Sequence, residues 1–182
     1  MRELSLNILD IITNSIEAEA SRVILCIDET HVDNRLTIRI RDNGRGMSEE
    51  FVRQVMDPFV TSRTTRPVGM GLSLLHQLAR QARGDLEIRS ELGRGTEVST
   101  FLRLNCLNRP PLGDVGGTMV NLIISNIDVH FMYIHSTDYD KLWFDSYWIL
   151  ARAAESDKTL YDMIHPAIMT IKTGLKEIKS KA

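Results

Sequence analysis

The sequence has 182 residues, of which 43% are hydrophobic and 25% charged, and its formal net charge is -2 at pH 7. This is the composition of an ordinary globular protein that can bury a core without disulfides or metal ions. A net charge so near zero excludes a general attraction to nucleic acid or anionic membranes, so partners must be inferred from individual sites. No stretch reaches the roughly 18 apolar residues of a membrane span, and no secretory leader pattern follows Met1, so we expect a cytoplasmic protein.

Helical and strand patterns alternate along the first part of the chain. The elements predicted in chain order are helix 3–18, strands 22–28 and 36–41, a short helix capped by Ser48, an irregular stretch at 58–68, helix 71–82 ended by Gly84, and strands 85–90 and 96–104. This order predicts an α+β fold in which helices cover one face of a sheet.

The chain changes character near residues 105–112. All six lysines lie at Lys141 or later, and eight of the eleven aromatic residues follow Pro110 and Pro111. The change predicts an N-terminal domain of residues 1–104 and a small α/β C-terminal extension of residues 105–182. The elements predicted in the extension are a helix at 114–126, a hairpin of strands 129–135 and 141–149, and a final amphipathic helix at 160–179.

Two polar residues share one face of the first predicted helix. Asp10 and Asn14 are four residues apart and therefore one turn from each other. The amide oxygen of Asn14 suits Mg²⁺, which takes few protein ligands and completes its octahedron with water and phosphate oxygens. Asp10 is placed to orient or deprotonate an attacking water or hydroxyl. Taken alone, however, such a pair is usually the solvated edge of an amphipathic helix.

A carboxylate and two glycines follow the second predicted strand. In residues 42–47 (DNGRGM), glycines allow the backbone to come close to a planar ligand. Asp42 can accept a hydrogen bond from an exocyclic amine such as that of adenine. A tight Asn-Gly turn is the plainer interpretation of the same residues.

A glycine-bearing loop leads into the helix predicted at 71–82. The free N–H groups and the positive dipole end of this helix would form a phosphate site. The segment 68–75 (VGMGLSLL) is not a dinucleotide fingerprint, because Leu74 stands where the third glycine would be. No GK[ST] of a Walker loop occurs in the chain. Alone, this motif is weak evidence for nucleotide binding. Its occurrence in a fixed order with the other two motifs makes the evidence much stronger.

Four ordered motifs resemble those of the GHKL superfamily, which DNA gyrase, heat-shock chaperones, MutL and histidine kinases share. Residues 9–18 (LDIITNSIEA) resemble the N box, close to its MutL form, and residues 42–46 resemble the DxGxG box. The later segments similar to histidine kinase motifs are 59–63 (FVTSR) with 69–73 (GMGLS), and the closing GxGT turn at 93–96. The resemblance covers about residues 3–104. It implies a two-layer α/β sandwich, the Bergerat ATP-binding fold, with a mixed, mostly antiparallel sheet and helices on one face.

The resemblance also implies ATP and Mg²⁺ as ligands and assigns roles to residues. Asn14 would bind the magnesium ion, and Asp10 would be the catalytic base. Asp42 would accept from the adenine amine, and the Thr96 hydroxyl would help hold the adenine edge. The other residues implied to contact the nucleotide lie in the glycine loops and in a lid ending at Val68: Gly44, Gly46, Met47, Phe59, Thr61, Arg63, Gly69, Met70, Gly71 and Leu72.

Two departures from the family pattern bear on function. Pro67 stands where histidine kinases usually have a further glycine, which should stiffen the hinge of the lid. Asp10 stands where gyrase and MutL carry a glutamate. Its side chain is one methylene shorter, which puts efficient hydrolysis in question while leaving nucleotide binding intact.

Several functions are compatible with these motifs. No histidine lies in an HExxxP-like context, so we do not expect self-contained histidine kinase activity. We favour a signalling module that binds ATP and acts on a partner protein, resembling anti-sigma serine kinases. The alternatives are a slow ATPase that switches conformation and a nucleotide sensor without turnover. Neither nucleic acid nor a membrane is an expected partner, and a homodimer is one alternative for the oligomeric state.

Overall fold

A computed structural model describes residues 3–56, 70–148, 151 and 173–174 of the chain. The helices are α1 (Leu4–Glu17), α2 (Glu49–Met56), α3 (Met70–Gln81) and α4 (Val115–Ser125). The strands are β1 (Arg22–Thr30), β2 (Arg35–Asp42), β3 (Asp85–Glu91), β4 (Gly95–Arg103), β5 (His130–Thr137) and β6 (Lys141–Asp145). The predicted irregular stretch at 58–68 lies outside the described residues, as does almost all of the predicted final helix.

The six strands form one mixed sheet in the order β3-β4-β2-β1-β5-β6. Only β5 runs parallel to its neighbour β1, and the other adjacent strands are antiparallel. This confirms the predicted α+β fold with a mixed, mostly antiparallel sheet. Among the helices of the described residues, none combines the length and the apolar character that crossing a bilayer requires.

Helix α1 lies at the centre of the layer that covers the sheet. It packs against α3 on one side and α4 on the other. Its residues Leu4, Ile8 and Ile12 are fully buried, together with alternate residues of β1 such as Val23 and Leu25. Because side chains repeat every 3.6 residues on the helix and every two on the strand, both patterns present one continuous apolar face to a shared core. This packing fixes which side of α1 faces the rest of the layer.

The described part of the C-terminal extension continues the same sheet. Helix α4 is capped by Asp114, whose Oδ1 accepts a hydrogen bond of 2.8 Å from the backbone N–H of Gly117. The predicted helix and hairpin are both present, although β6 ends at Asp145 and is shorter than predicted. The division of the chain at residue 104 stays a prediction, since the sheet itself runs across it from β1 to β5.

A buried hydrogen-bond chain connects β5 to β1. The Tyr133 hydroxyl lies 2.9 Å from Nδ1 of His135, and Nε2 of His135 lies 2.8 Å from Oε1 of Glu29. A carboxylate only accepts, so Nε2 donates to Glu29, and in the neutral imidazole Nδ1 accepts from the tyrosine hydroxyl. Burial raises the pKa of Tyr133 well above its usual range, and the charges of Glu29 and Asp114 add to the effect. The hydroxyl therefore stays a proton donor in the folded chain.

We expect Tyr133→Phe to lower the free energy of unfolding by about 1–3 kcal/mol, because Nδ1 of His135 then lacks its donor. Urea denaturation checks this, with the exposed Tyr139→Phe as control. Wild-type stability should also fall as pH rises past about 10, since Tyr133 ionises there only when unfolded, and the variant should lose that part of the slope. Equal losses in the two variants would contradict the role given to the buried chain.

Candidate functional site

Asp42 ends β2 at the point where β2 meets α1 and β4. Its Oδ1 accepts hydrogen bonds from the backbone N–H of Gly44 at 2.9 Å and of Thr96 at 3.2 Å. Its Oδ2 accepts one from the hydroxyl of Ser15 at 2.7 Å, and the residue is only 8% exposed. A carboxylate offers about four acceptor positions, and the protein fills three of them. About one position, on Oδ2, is left for an outside donor such as an exocyclic amine.

Ser15 is a site residue to which motif reasoning gave no role. It is 4% exposed, lies on α1 directly after Asn14, and fixes the Asp42 side chain through its hydroxyl. The sequence carries one signal for it. The helical period places Ser15 on the same buried side as Ile8 and Ile11, where a polar side chain needs a partner.

Thr96 belongs to a second small network that sequence reasoning missed. Its hydroxyl lies 2.8 Å from that of Ser90, which accepts from the backbone N–H of Met47 at 2.8 Å and donates to the carbonyl oxygen of Gly95 at 3.0 Å. With its own proton committed to Gly95, Ser90 accepts from Thr96. The Thr96 hydroxyl therefore presents lone pairs to any further donor.

Two glycines bring the turn after β2 against the turn between β3 and β4. Gly46 and Gly95 have φ values of +67° and +103°, in the left-handed region that favours glycine. A Cβ atom on Gly46 would lie 2.0 Å from the carbonyl oxygen of Glu91, and one on Gly95 would lie 2.1 Å from that of Asp42. At Gly44, a Cβ would lie 2.7 Å from the carbonyl oxygen of Ala18. Close backbone packing therefore already requires glycine at these positions, and their predicted contact with the base stays a prediction.

We expect Gly95→Ala to damage both folding and ligand binding, because its new methyl group would overlap the Asp42 backbone. The matched control is Gly93→Ala. Gly93 also has a positive φ, of +76°, but a Cβ there would meet no atom within 4 Å. The control should lose about 1–3 kcal/mol of unfolding free energy from backbone strain alone, and Gly95→Ala clearly more. Equal losses in thermal or urea unfolding would show that the contact with Asp42 is unimportant.

The polar face of α1 lies against the start of α3. Asp10 is exposed and Asn14 half-buried, and neither side chain hydrogen-bonds to another described residue. A Cβ on Gly71 would lie 3.0 Å from Cβ and 3.5 Å from Oδ2 of Asp10. The first turn of α3, whose positive dipole end attracts anions, therefore lies beside the carboxylate of Asp10.

These side chains fit a magnesium ion of the kind that relies on few protein ligands. Asn14 offers an amide oxygen without a partner among the described residues, and Asp10 lies one turn away. Within 3–56 and 70–148, no group of three or more His, Cys, Asp and Glu side chains is placed to hold a metal. An ion at Asn14 would therefore complete its shell with water and ligand phosphate oxygens.

The remaining residues predicted to contact the nucleotide lie partly in the core, partly near Asp10 and partly outside the described residues. Leu72 is 6% exposed and part of the core, so only its backbone is available to a ligand. Met47 is partly buried against the core, and Met70 begins α3. Gly71 lies at Asp10, whereas Phe59, Thr61, Arg63 and Gly69 fall outside the described residues. The predicted lid therefore stays a prediction.

Residues 2–105 match the family of histidine kinase-, DNA gyrase B- and HSP90-like ATPases. That span is more than half of the chain and contains Asp10, Asn14, Asp42 and Thr96. Among solved structures, the N-terminal domain of a DNA repair protein is similar, with a TM-score of 0.53 at 14% identity. The similarity covers 79% of this chain and 52% of that one, and at this identity it concerns the fold.

Two curated relatives are bacterial kinases. Sporulation kinase D of Bacillus subtilis is 34% identical over 95 residues, covering 52% of this chain and 19% of that protein. The tetrathionate sensor histidine kinase TtrS of Salmonella typhimurium is 33% identical over 99 residues, covering 54% of this chain and 16% of that protein. The chain thus spans less than a fifth of the length of either relative.

Proposed function

Because this chain belongs to the family of histidine kinase-, DNA gyrase B- and HSP90-like ATPases, we propose that it binds MgATP and acts on a partner protein in signalling. In this respect it resembles anti-sigma serine kinases, and its proposed place of action is the cytoplasm. The observation that carries the proposal is the Asp42 carboxylate, buried and held by three donors, with an acceptor position left open.

In this proposal the two ends of the nucleotide contact different parts of the site. Asp42 accepts a hydrogen bond from the adenine amine, and Thr96 lies next to it through its backbone bond to the same carboxylate. The phosphates lie at the first turn of α3, whose positive dipole end favours anions. Asn14 binds the magnesium ion, which neutralises charge on the phosphate oxygens.

Asp10 acts on the group that attacks the γ-phosphate. It is exposed beside Gly71, so its carboxylate can reach either a water molecule or a hydroxyl from a partner protein. A transfer to a partner hydroxyl breaks the bond between the γ-phosphorus and the β–γ bridging oxygen of ATP, which leaves on ADP. It forms a phosphoester and moves the hydroxyl proton to Asp10. Transfer to water follows the same course and releases phosphate.

The proposal of a protein partner draws support from the named relatives. Both are described as kinases, and one as a sensor. Since more than four fifths of each relative lies beyond the matched segment, their substrates are not transferred to this chain. The proposed proton transfer to Asp10 requires a partner protein with an accessible hydroxyl group, and it specifies nothing else about that partner.

We expect Asp42→Asn to keep the fold and lose the preference for adenine. The amide oxygen can still accept from Gly44 and Thr96, while its NH₂ group faces Ser15, which can accept from it. The NH₂ group would then face the adenine amine, and two donors cannot form a hydrogen bond with each other. Calorimetry with MgATP should show affinity reduced by about tenfold or more, and Asp85→Asn, an exposed carboxylate at the start of β3, is the control. Unchanged affinity in Asp42→Asn would remove the adenine-binding assignment.

The two polar residues of α1 should separate binding from turnover. Asn14→Ala is expected to abolish the Mg²⁺ dependence of ATP affinity, because the ion loses its amide ligand. Asp10→Asn should leave affinity nearly unchanged and lower phosphate release or transfer by roughly 10²-fold, as loss of a general base does. Calorimetry with and without Mg²⁺, combined with a phosphate-release assay with and without candidate partners, measures both effects.

The same assays distinguish the alternatives. Phosphate release without any partner favours the slow ATPase switch. Binding without turnover under any condition favours the nucleotide sensor. Equal affinity losses in Asn14→Ala and Asp10→Asn, without a difference in turnover, would contradict the division of roles.

A further inference from the structure

The outer edge of the sheet at β6 carries exposed aromatic side chains. Trp143, Tyr147 and Trp148 are 61%, 60% and 62% exposed. Within the described residues, β6 pairs with β5 alone and forms the end of the sheet. Unpaired strand edges with exposed apolar side chains recruit further strands, so natural proteins usually shield them. This edge therefore has the properties of an interaction surface.

The hairpin between β5 and β6 determines which main-chain groups face outward. The backbone N–H of Thr137 donates to the carbonyl oxygen of Asp140 at 2.8 Å, which makes these two residues a hydrogen-bonded pair. Such pairs alternate along an antiparallel ladder, and the register of this one is continuous. The main-chain groups that consequently face away from β5 are those of Lys141, Trp143 and Asp145. Of these, the N–H of Lys141 donates to Oδ1 of Asp140 at 2.8 Å, which leaves its C=O and both groups of Trp143 and Asp145 for a partner strand.

We propose that a second copy of this chain pairs with β6 about a two-fold axis at Trp143. An antiparallel arrangement centred there places Trp143 opposite the partner's Trp143, with their outward N–H and C=O groups in a hydrogen-bonded pair. Lys141 then faces the partner's Asp145, and Leu142 faces the partner's Phe144. The axis repeats each of these pairs, so the five residues of β6 are complementary to themselves in charge and in apolar character.

The carboxylate of Asp145 is held in place for this contact. Its Oδ1 lies 2.7 Å from Nε2 of His130 and accepts from the backbone N–H of Tyr147 at 2.9 Å. Both contacts use the same oxygen atom, so Oδ2 remains for the partner's Lys141. Lys141 is itself exposed at the other end of the strand.

The opposite edge of the sheet has this complementarity only in part. If β3 paired with its own copy over its full length, Glu87 would face the partner's Arg89, but Asp85 would face the partner's Glu91 at both ends. Like charges directly opposite each other destabilise a strand pair. Helix α2 also packs against β3. The like-charged pairs at both ends of β3, together with helix α2 packed on it, therefore favour β6 as the edge for self-association.

Charge exchange at the two ends of β6 tests the proposal in the full chain. We expect wild type to sediment at twice the 20.7 kDa chain mass, and Lys141→Asp and Asp145→Lys to raise the dimer dissociation constant by about tenfold or more, because each creates two like-charged pairs. An equimolar mixture of the two variants should restore the dimer, since each then supplies the charge that the other needs. The control is Arg89→Asp on β3, which should remain dimeric.

A cross-link covers the case in which Asp145→Lys fails to fold. In a chain whose two native cysteines are replaced by alanine, Trp143→Cys should form an intermolecular disulfide rapidly on oxidation, because residues opposite each other at a hydrogen-bonded pair are about 5.5 Å apart. Tyr139→Cys, in the exposed hairpin turn, should react much more slowly. A wild type that is monomeric at about 100 μM, a mixture of folded variants that stays monomeric, or equal cross-linking rates would each overturn the proposal.

Discussion

The candidate nucleotide site depends on the hydrogen bonds that hold Asp42. This carboxylate joins the end of β2, the turn after it, the start of β4 and helix α1 through Ser15. A buried carboxylate with fewer donors would lose much of the free energy that compensates its removal from water. Because the same bonds also orient the remaining lone pair, the interactions that stabilise the group prepare it for a ligand. Stability and recognition are thus two consequences of one arrangement.

The glycine-rich turns extend this arrangement by bringing backbones together. Gly46 lies against Glu91, and Gly95 against Asp42, at distances that no side chain at either glycine would allow. The contact brings Thr96 next to Asp42 and Met47 next to Ser90, so that both hydrogen-bond networks lie at one end of the sheet. At the other side of α1, Gly71 permits α3 to approach Asp10 in the same way. The glycines of this site therefore act largely through protein packing.

The sequence predicted the parts of the fold that have a clear period. The amphipathic face of α1, the alternation in β1 and β2, and the hairpin of β5 and β6 appear where the pattern placed them, although β6 is shorter than predicted. The parallel pairing of β5 with β1 could not be predicted, because contacts between segments a hundred residues apart leave no local signal. The burial of His135 could not be predicted for the same reason. Its hydrogen-bond partner Glu29 lies on the neighbouring strand, and no local pattern around the histidine indicates that partner.

The residues of the candidate site also fall into those that the sequence predicts and those that only the fold reveals. Asp10, Asn14 and Asp42 were recognisable from motif order, and the structure gives Asp10 and Asp42 an environment suited to their predicted chemistry. Ser15 and Ser90 were not recognised, because a serine acquires a role only through the partner that the fold brings to it. Serine has no distinctive chemistry of its own at these positions, whereas Asp10, Asn14 and Asp42 stand in motifs whose fixed order indicates a ligand.

The C-terminal extension changes the edge of the sheet as well as its size. Without β5 and β6, β1 would be the end strand, and the backbone groups that now pair with β5 would be unpaired. The extension covers that edge and makes β6 the end strand in its place. The charges at the two ends of this five-residue strand then specify the proposed partner. The Glu29, His135 and Tyr133 chain ties β5 to β1, so the position of the new edge is coupled to the strand that also packs against α1. Self-association at β6 would therefore act on the same sheet that carries Asp42, two strands away from β5.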